Sequence, residues 1–277
     1  RRLKRLPTIL DKLTRPTLDG NSRNSICLTR MHDIGGCRVI VNSVDDVYQV
    51  LENIKNSKST HKVHRVYDYI QGPKQSGYRG IHVVFSCFQD GPEDTPWKDY
   101  KIELQIKTKL QHIWSTTVET TDLFERTSLK TNVLSTGDAS EFFKIMSRFA
   151  EHEEETSLLS NHELISLGGK ASDIDDRIGI FDKVLNYSVH VQAIGYSGRG
   201  IKNLKGYFLL VMGEDGEDSA PSLKNYYFSR KRANMAIMAY EKLEELPQVQ
   251  AVVLVSAESV KSIRSAYPNY YADSIGF

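Results

Sequence analysis

The sequence predicts an α/β (α+β) protein: a mixed β-sheet flanked by helices, with a second, smaller α/β domain after it. Three observations carry this expectation. Lys101-Ile-Glu-Leu-Gln-Ile-Lys-Thr108 alternates polar and apolar residues with the period of a strand. Val44 to Lys55 places Val47, Val50, Leu51 and Ile54 on one helical face. Cys37-Arg-Val-Ile-Val41 is a short run ending in three β-branched residues, of the kind that forms a buried strand.

The elements follow in order. Arg1 to Leu13 reads as a helix ended by Pro16, and Gly20 to Ser25 as a polar loop. After the strand at Cys37 and the helix at Val44, a β-prone segment (Val63 to Ile70) enters a turn-rich loop. A second β-prone run (Ile81 to Phe88) leaves it. The strand Lys101–Thr108 comes next. Leu110 to Phe124, Ser140 to Glu155 and Asp173 to Lys183 read as helices. The second half supplies strands at Tyr187–Ala193, Gly206–Met212, Asn225–Ser229 and Gln250–Ser256. It also supplies helices at Arg232–Leu243 and Val260–Tyr267, and an acidic turn-rich loop at Gly213–Ser219. The expected domains are 1–172, with its core motifs in 1–123, and 173–277.

At 277 residues and 40% hydrophobic content the chain can build two cores. No run approaches a membrane span and no signal peptide is visible, although the chain opens without Met inside a motif. Cys27, Cys37 and Cys87 lack paired spacing, which suits a reducing cytoplasm and argues against a disulfide frame. The charge is uneven. Residues 1–110 hold 19 Lys/Arg against 12 Asp/Glu, and residues 111–180 hold 6 against 13. A basic first segment suits phosphate-rich ligands. The acidic stretch with Glu151 and Glu153 to Glu155 reads as a solvated helix face.

The chemistry concentrates in Asp68-Tyr-Ile-Gln-Gly-Pro-Lys-Gln-Ser-Gly-Tyr-Arg-Gly-Ile-His82. This loop holds a cation (Lys74), a permissive backbone (Gly72, Gly77) and an aromatic ring (Tyr78). A phosphate, a close backbone approach and a nucleobase would use them respectively. A solvated hairpin loop would use the same turn residues. The polar face of Lys101–Thr108 adds Glu103, Gln105 and Lys107. Upstream, Met31-His-Asp-Ile-Gly-Gly-Cys-Arg38 places the carboxylate of Asp33 before a strand.

These pieces, together with the opening Arg2-Leu-Lys4-Arg5 and Lys12, resemble the RelA/SpoT-type pyrophosphokinase domain over roughly residues 1–123. The resemblance implies the RelA/SpoT synthetase fold, which is nucleotidyltransferase-like. It implies transfer of pyrophosphate from ATP to a ribose 3′-hydroxyl with Mg²⁺. By the same resemblance Asp33 and Glu103 bind the metal. Glu103 also takes the proton of the attacking hydroxyl, with Gln105 beside it. Arg2, Lys4, Lys12 and Arg38 hold ATP, while Arg65, Lys74, Tyr78, His82, Lys107 and His112 hold the acceptor. His32 is read as a bystander. Two departures stand out. Lys107 replaces the usual Arg and so loses the bidentate fork. Tyr67 replaces the Lys of the common Arg-x-Lys-Asp pattern, which removes a cation from the acceptor side.

The C-terminal Ala266-Tyr267-Pro-Asn-Tyr270-Tyr-Ala-Asp273 resembles the pseudo-zinc-finger region of CapRel-type fused toxin–antitoxin proteins. That resemblance implies a toxin acting on the 3′-CCA end of tRNA. The C-terminal region would inhibit it in cis until a phage component, here a phage protein, binds. Tyr267 and Tyr270 would plug the ATP site. The alternatives are a small alarmone synthetase making (p)ppGpp or (p)ppApp, and an inactive nucleotide-binding sensor.

Overall fold

Polar residues alternate with apolar ones along the central strand of the first sheet, and this alternation gives the sheet two unlike faces. The computed structural model describes residues 2–3, 9–10, 12–13, 28, 31–125, 137–184, 205–214, 221–246 and 249–257. The chain divides into two compact units, Arg1–His112 with Ala150–Leu158, and Ile113–Phe149 with Leu159–Phe277.

The first unit holds β1 (Arg2–Leu3), β2 (Gly35–Val41), α1 (Val44–Lys55), β3 (Lys62–Asp68), β4 (Ile81–Ser86) and β5 (Lys101–Thr108). The strands lie in the order β1-β2-β5-β4-β3. β2 and β5 are parallel and the other pairs antiparallel. One face is apolar: Ile81, Val83, Leu104 and Ile106 pack with Val47 and Leu51 of α1, and Val50 and Ile54 pack against this cluster. The helical face read from the sequence is therefore the core face of α1. Its start is set by a capping box, in which Ser43 and Asp46 exchange side-chain and backbone hydrogen bonds.

The opening of the chain differs from the expected helix over Arg1–Leu13. Arg2 and Leu3 pair antiparallel with Gly36 and Gly35, while residues 9–10 and 12–13 are helical. An edge strand needs backbone partners more than local helix propensity can offer in so short a run.

In the second unit and across its boundaries lie α2 (Lys109–Glu125), α3 (Asp138–Glu153) and α4 (Asn161–Ile178). Trp114 donates to the Phe143 carbonyl at 2.9 Å, and Arg177 grips Asp138 through two nitrogens at 2.9 and 2.8 Å. α4 starts twelve residues before the expected Asp173. The Gly168-Gly169 pair obscures its pattern, yet a Ser160–Glu163 capping box starts it and Ala171 and Ile174 are buried. Farther on, β6 (Gly206–Glu214) is the central strand between β7 (Pro221–Ser229) and β8 (Val249–Ala257), all antiparallel. α5 (Ala233–Glu244) covers the Leu209, Val211 and Val252 face. β7 begins earlier than expected, at a proline that an edge strand tolerates. The expected elements at Tyr187–Ala193 and Val260–Tyr267 lie outside the described residues.

Candidate active site

The polar face of the first sheet is a grid of cross-strand neighbours, which share a face because side chains alternate along each strand. Arg65, Val84, Glu103 and Gly36 form one row, and Tyr67, His82, Gln105 and Arg38 the next. Tyr69 follows Tyr67 by two residues, and its N–H donates to the Gly80 carbonyl at 3.0 Å. Two glycines make the grid possible. A Cβ on Gly36 would lie 2.8 Å from the Glu103 carbonyl oxygen, and one on Gly80 (φ +139°) would lie 3.0 Å from Cγ of Lys107.

Glu103 sits at the centre. Its Oε2 is 3.0 Å from His82 Nδ1, and its Oε1 accepts from the Gln105 amide at 2.8 Å. Burial pushes the Glu103 carboxyl up, but the His82 and Gln105 hydrogen bonds outweigh it and hold it below the usual carboxylate range. Burial likewise pushes the His82 imidazole below its ordinary value, against the opposing pull of Glu103. An ionised carboxylate can only accept, so a neutral His82 carries its proton on Nδ1. Nε2 then accepts from the Tyr78 hydroxyl, 2.5 Å away. The result is a chain from Tyr78 through His82 to Glu103. Two of the roughly four acceptor positions of the carboxylate are used in this way.

Asp33 and Lys12 form an ion pair at 2.9 Å. The charge of Asp33 also raises the Glu103 carboxyl, so the two carboxylates act on one another. Mg²⁺ is commonly held by one or two carboxylates plus substrate phosphates rather than by an all-protein cage. Asp33 and Glu103 fit that pattern. Among the described residues no group of three His, Cys, Asp or Glu forms a metal cluster. His32 lies edge-on to His64 at 5.5 Å.

The remaining expected site residues fall into place as follows. Arg38 Nη1 meets His112 Nδ1 at 3.2 Å, which joins a residue expected at ATP to one expected at the acceptor. Its Nε is buried with no hydrogen-bond partner among the described residues. Lys107 is buried, 1% exposed, with Nζ 4.5 Å from the Tyr78 ring centre. Tyr78 is itself 5% exposed and packs edgewise on Tyr69 and His82. Lys74 is exposed and lies over the Tyr69 ring at 4.3 Å. Arg65 is exposed and donates to the Tyr67 hydroxyl at 3.3 Å. The hairpin loop is closed by Gly77 N–H to the Lys74 carbonyl at 2.8 Å and Lys74 N–H to the Tyr78 carbonyl at 3.1 Å. Arg2 is described through its strand alone. Lys4, Tyr267 and Tyr270 lie outside the described residues.

One neighbouring network escaped the sequence. Glu151 and Glu154 do not belong to a solvated face. Arg79, 3% exposed, donates to Glu154 at 2.6 Å and to Thr156 at 2.6 Å, and its Nε lies 4.0 Å from Glu151. Thr108 and Gln111 complete the ring of donors to Glu154. Glu153 and Glu155 stay exposed, as expected. The helical spacing of Glu151 and Glu154 was a signal for a shared face, but nothing local pointed to Arg79 as its partner.

The order of these groups along the chain has counterparts elsewhere. Residues 1–124 match the family described as the region found in RelA / SpoT proteins. The chain resembles GTP pyrophosphokinase YwaC of Bacillus subtilis (strain 168), 29% identical over 114 residues, covering 41% of this chain and 52% of that protein. GTP pyrophosphokinase YjbM of the same organism is 30% identical over 116 residues, covering 42% and 51%. The probable GTP diphosphokinase RSH2, chloroplastic, of Oryza sativa subsp. japonica is 33% identical over 91 residues, covering 33% of this chain and 11% of the relative. The chain thus spans about half the length of the two bacterial relatives. Among solved structures, small alarmone synthetase 1 from Bacillus subtilis bound to its product pppGpp is 25% identical. It covers 56% of this chain and 72% of that one, with a TM-score of 0.44. Among the described residues no helix is long and apolar enough to cross a membrane.

Proposed function

We propose that the RelA/SpoT region is an ATP-dependent pyrophosphokinase whose acceptor is the 3′-hydroxyl at the CCA end of tRNA. The observation that carries the pyrophosphokinase reading is Glu103, ionised between His82 and Gln105 and electrostatically coupled to Asp33. Asp33 and Glu103 would hold Mg²⁺, which when bound supplies charge neutralisation for the triphosphate. In the reaction the acceptor 3′-oxygen bonds to the β-phosphorus of ATP, the bond from that phosphorus to the α-phosphate oxygen breaks, and AMP leaves. Glu103 takes the hydroxyl proton. His82 and Gln105 each hold one carboxylate oxygen, which leaves about two acceptor positions for the hydroxyl. Lys12 and Arg38, with Arg2 and Lys4, neutralise ATP. Lys74 and Arg65 serve the acceptor phosphates.

The tRNA acceptor is supported by Tyr67 standing where the family pattern has a cation, and by the resemblance of Tyr267-Pro-Asn-Tyr270 to a cis-acting plug. On this reading residues 173–277 restrain the enzyme until a phage protein draws the plug away, and the protein works in the cytoplasm as a phage defence. The names of the bacterial relatives favour a second reading, a small alarmone synthetase with a GDP or GTP acceptor. Labelled ATP offered with tRNA or with GDP/GTP decides between them. Label in tRNA, increased by Tyr267→Ala/Tyr270→Ala, is the expected result. Label in guanine nucleotide alone would replace the first reading by the second.

A further inference from the structure

Tyr67 and Tyr69 stand on the Glu103 face as a parallel pair, with ring centres 6.0 Å apart and planes 5° from parallel. Each carries a cation. The Lys74 ammonium lies 4.3 Å from the Tyr69 centre, and the Arg65 guanidinium 5.3 Å from that of Tyr67. Tyr69 meets His82 edge-on at 5.3 Å and Tyr78 at 5.9 Å, so the aromatic surface runs from the Glu103 chain outward. Exposure rises along the same path. Tyr78 is buried, Tyr69 and Tyr67 are half-buried, and Lys74 and Arg65 are exposed.

We infer that Tyr67 and Tyr69 form an aromatic step, outward of the buried Tyr78, that receives the last two bases of a single-stranded RNA 3′ end. The site would then select an oligonucleotide acceptor over a mononucleotide. This rests on the reading of the site as a 3′-hydroxyl acceptor and sharpens it. A base stacks on any aromatic face whatever its sequence, and the adjacent cations can leave the rings for the phosphates between bases. A mononucleotide whose sugar reaches Glu103 has one base for the half-buried Tyr69 and nothing further to place on Tyr67, since Tyr78 is buried beneath Lys107. A strand has a second base. Lysine at position 67 would serve a polyphosphate, whereas tyrosine serves a ring.

The test is equilibrium binding of the whole chain to a 5′-fluorescein-labelled cytidine-cytidine-adenosine trinucleotide, and separately to GTP. Tyr67→Ala is expected to weaken the trinucleotide roughly five- to hundredfold, as for loss of one base–aromatic stack, while GTP changes less than about twofold. Tyr67→Phe, which keeps the ring and loses the contact to Arg65, should stay within about twofold of wild type. Tyr67→Lys restores the family residue. It should lose the trinucleotide and keep or gain GTP, which tests the step even where the alanine variant fails to fold. Equal loss of both ligands, no loss of either, or a Phe variant as weak as Ala overturns the inference. So does absence of trinucleotide binding by wild type and by the Tyr267→Ala/Tyr270→Ala chain. If this binding pattern holds while no acceptor is labelled from ATP, the step stands and the enzymatic reading falls. Labelling of GDP or GTP without the binding pattern removes the step alone.

Discussion

Glu103 and Glu154 are both shielded carboxylates of the first unit, with side chains 15% and 8% exposed, and they are held in opposite ways. Glu154 meets a permanent cation, Arg79, and further donors from Thr108 and Gln111. Its charge is matched. Glu103 meets an imidazole whose charged form burial disfavours, and an amide, so it is held by donors that carry no permanent charge. A matched buried charge holds structure together, and an unmatched one in a cleft is available to a cation or a proton. The difference separates a structural carboxylate from a candidate chemical one more clearly than burial does.

The largest expected effect comes from removing the unmatched charge. Glu103→Gln should lower pyrophosphate transfer by about 10²–10⁴-fold, the usual range for a general base, in a chain that still melts cooperatively, at a midpoint lowered by loss of the ionised carboxylate. Asp33→Asn, which removes the second expected metal ligand and takes the partner of Lys12 away, should also lower transfer. Turnover close to wild type in either variant, measured with labelled ATP, would remove the carboxylates from the reaction.

Breaking the matched pair should do the reverse. Arg79→Met leaves Glu154 buried without its cation, at a cost of about 3–5 kcal/mol. Urea unfolding reads this directly. A cost below about 1 kcal/mol would mean that the Arg79–Glu154 pair is replaceable and that the contrast with Glu103 is overstated.

Acidification should weaken the Glu103 chain. Burial holds His82 below 6.5 in the folded protein, so the unfolded chain takes up that proton first as pH falls. Glu103 is held below 4.5, so the unfolded chain again takes up its proton first. Both signs make stability rise with pH. It should therefore decline as pH drops through about 6.5, and more steeply below about 4.5. His82→Asn keeps a donor to Glu103 and cannot titrate, so its unfolding free energy should be flatter between about pH 6.5 and pH 5. An unchanged slope would assign the upper part of the decline to another group.

The smallest effect concerns the second unit, where no carboxylate is at stake. A Cβ on Gly168 or Gly169 would meet nothing within 4 Å, and both lie inside α4. Gly168→Ala and Gly169→Ala should each raise stability by about 0.4–1 kcal/mol through loss of unfolded-state entropy, with labelling from ATP unchanged. Destabilisation in thermal melts would show that the glycines serve a close approach.

Much of the first sheet was legible in the sequence, because strand and helix periods declare which residues share a face. Period alone puts Val47 and Leu51 on one helical face, and Leu104 and Ile106 on one strand face with Glu103 and Gln105 opposite; that the two apolar faces meet in one core is a fact of the fold. Period alone also made Glu103, Gln105 and Lys107 one polar set. Only the folded sheet distinguishes Lys107, buried above Tyr78 in the space left by Gly80, from its neighbours. The tautomer of His82 depends on two partners, four and twenty-one residues away along the chain. The Arg79–Glu154 pair joins residues 75 positions apart, and the Tyr67–Tyr69 pair gains its meaning from the β3–β4–β5 register. Sequence alone determined which residues face together, since that follows from local backbone geometry. Tertiary structure decided which charges are cancelled, since that depends on what the chain brings back from a distance.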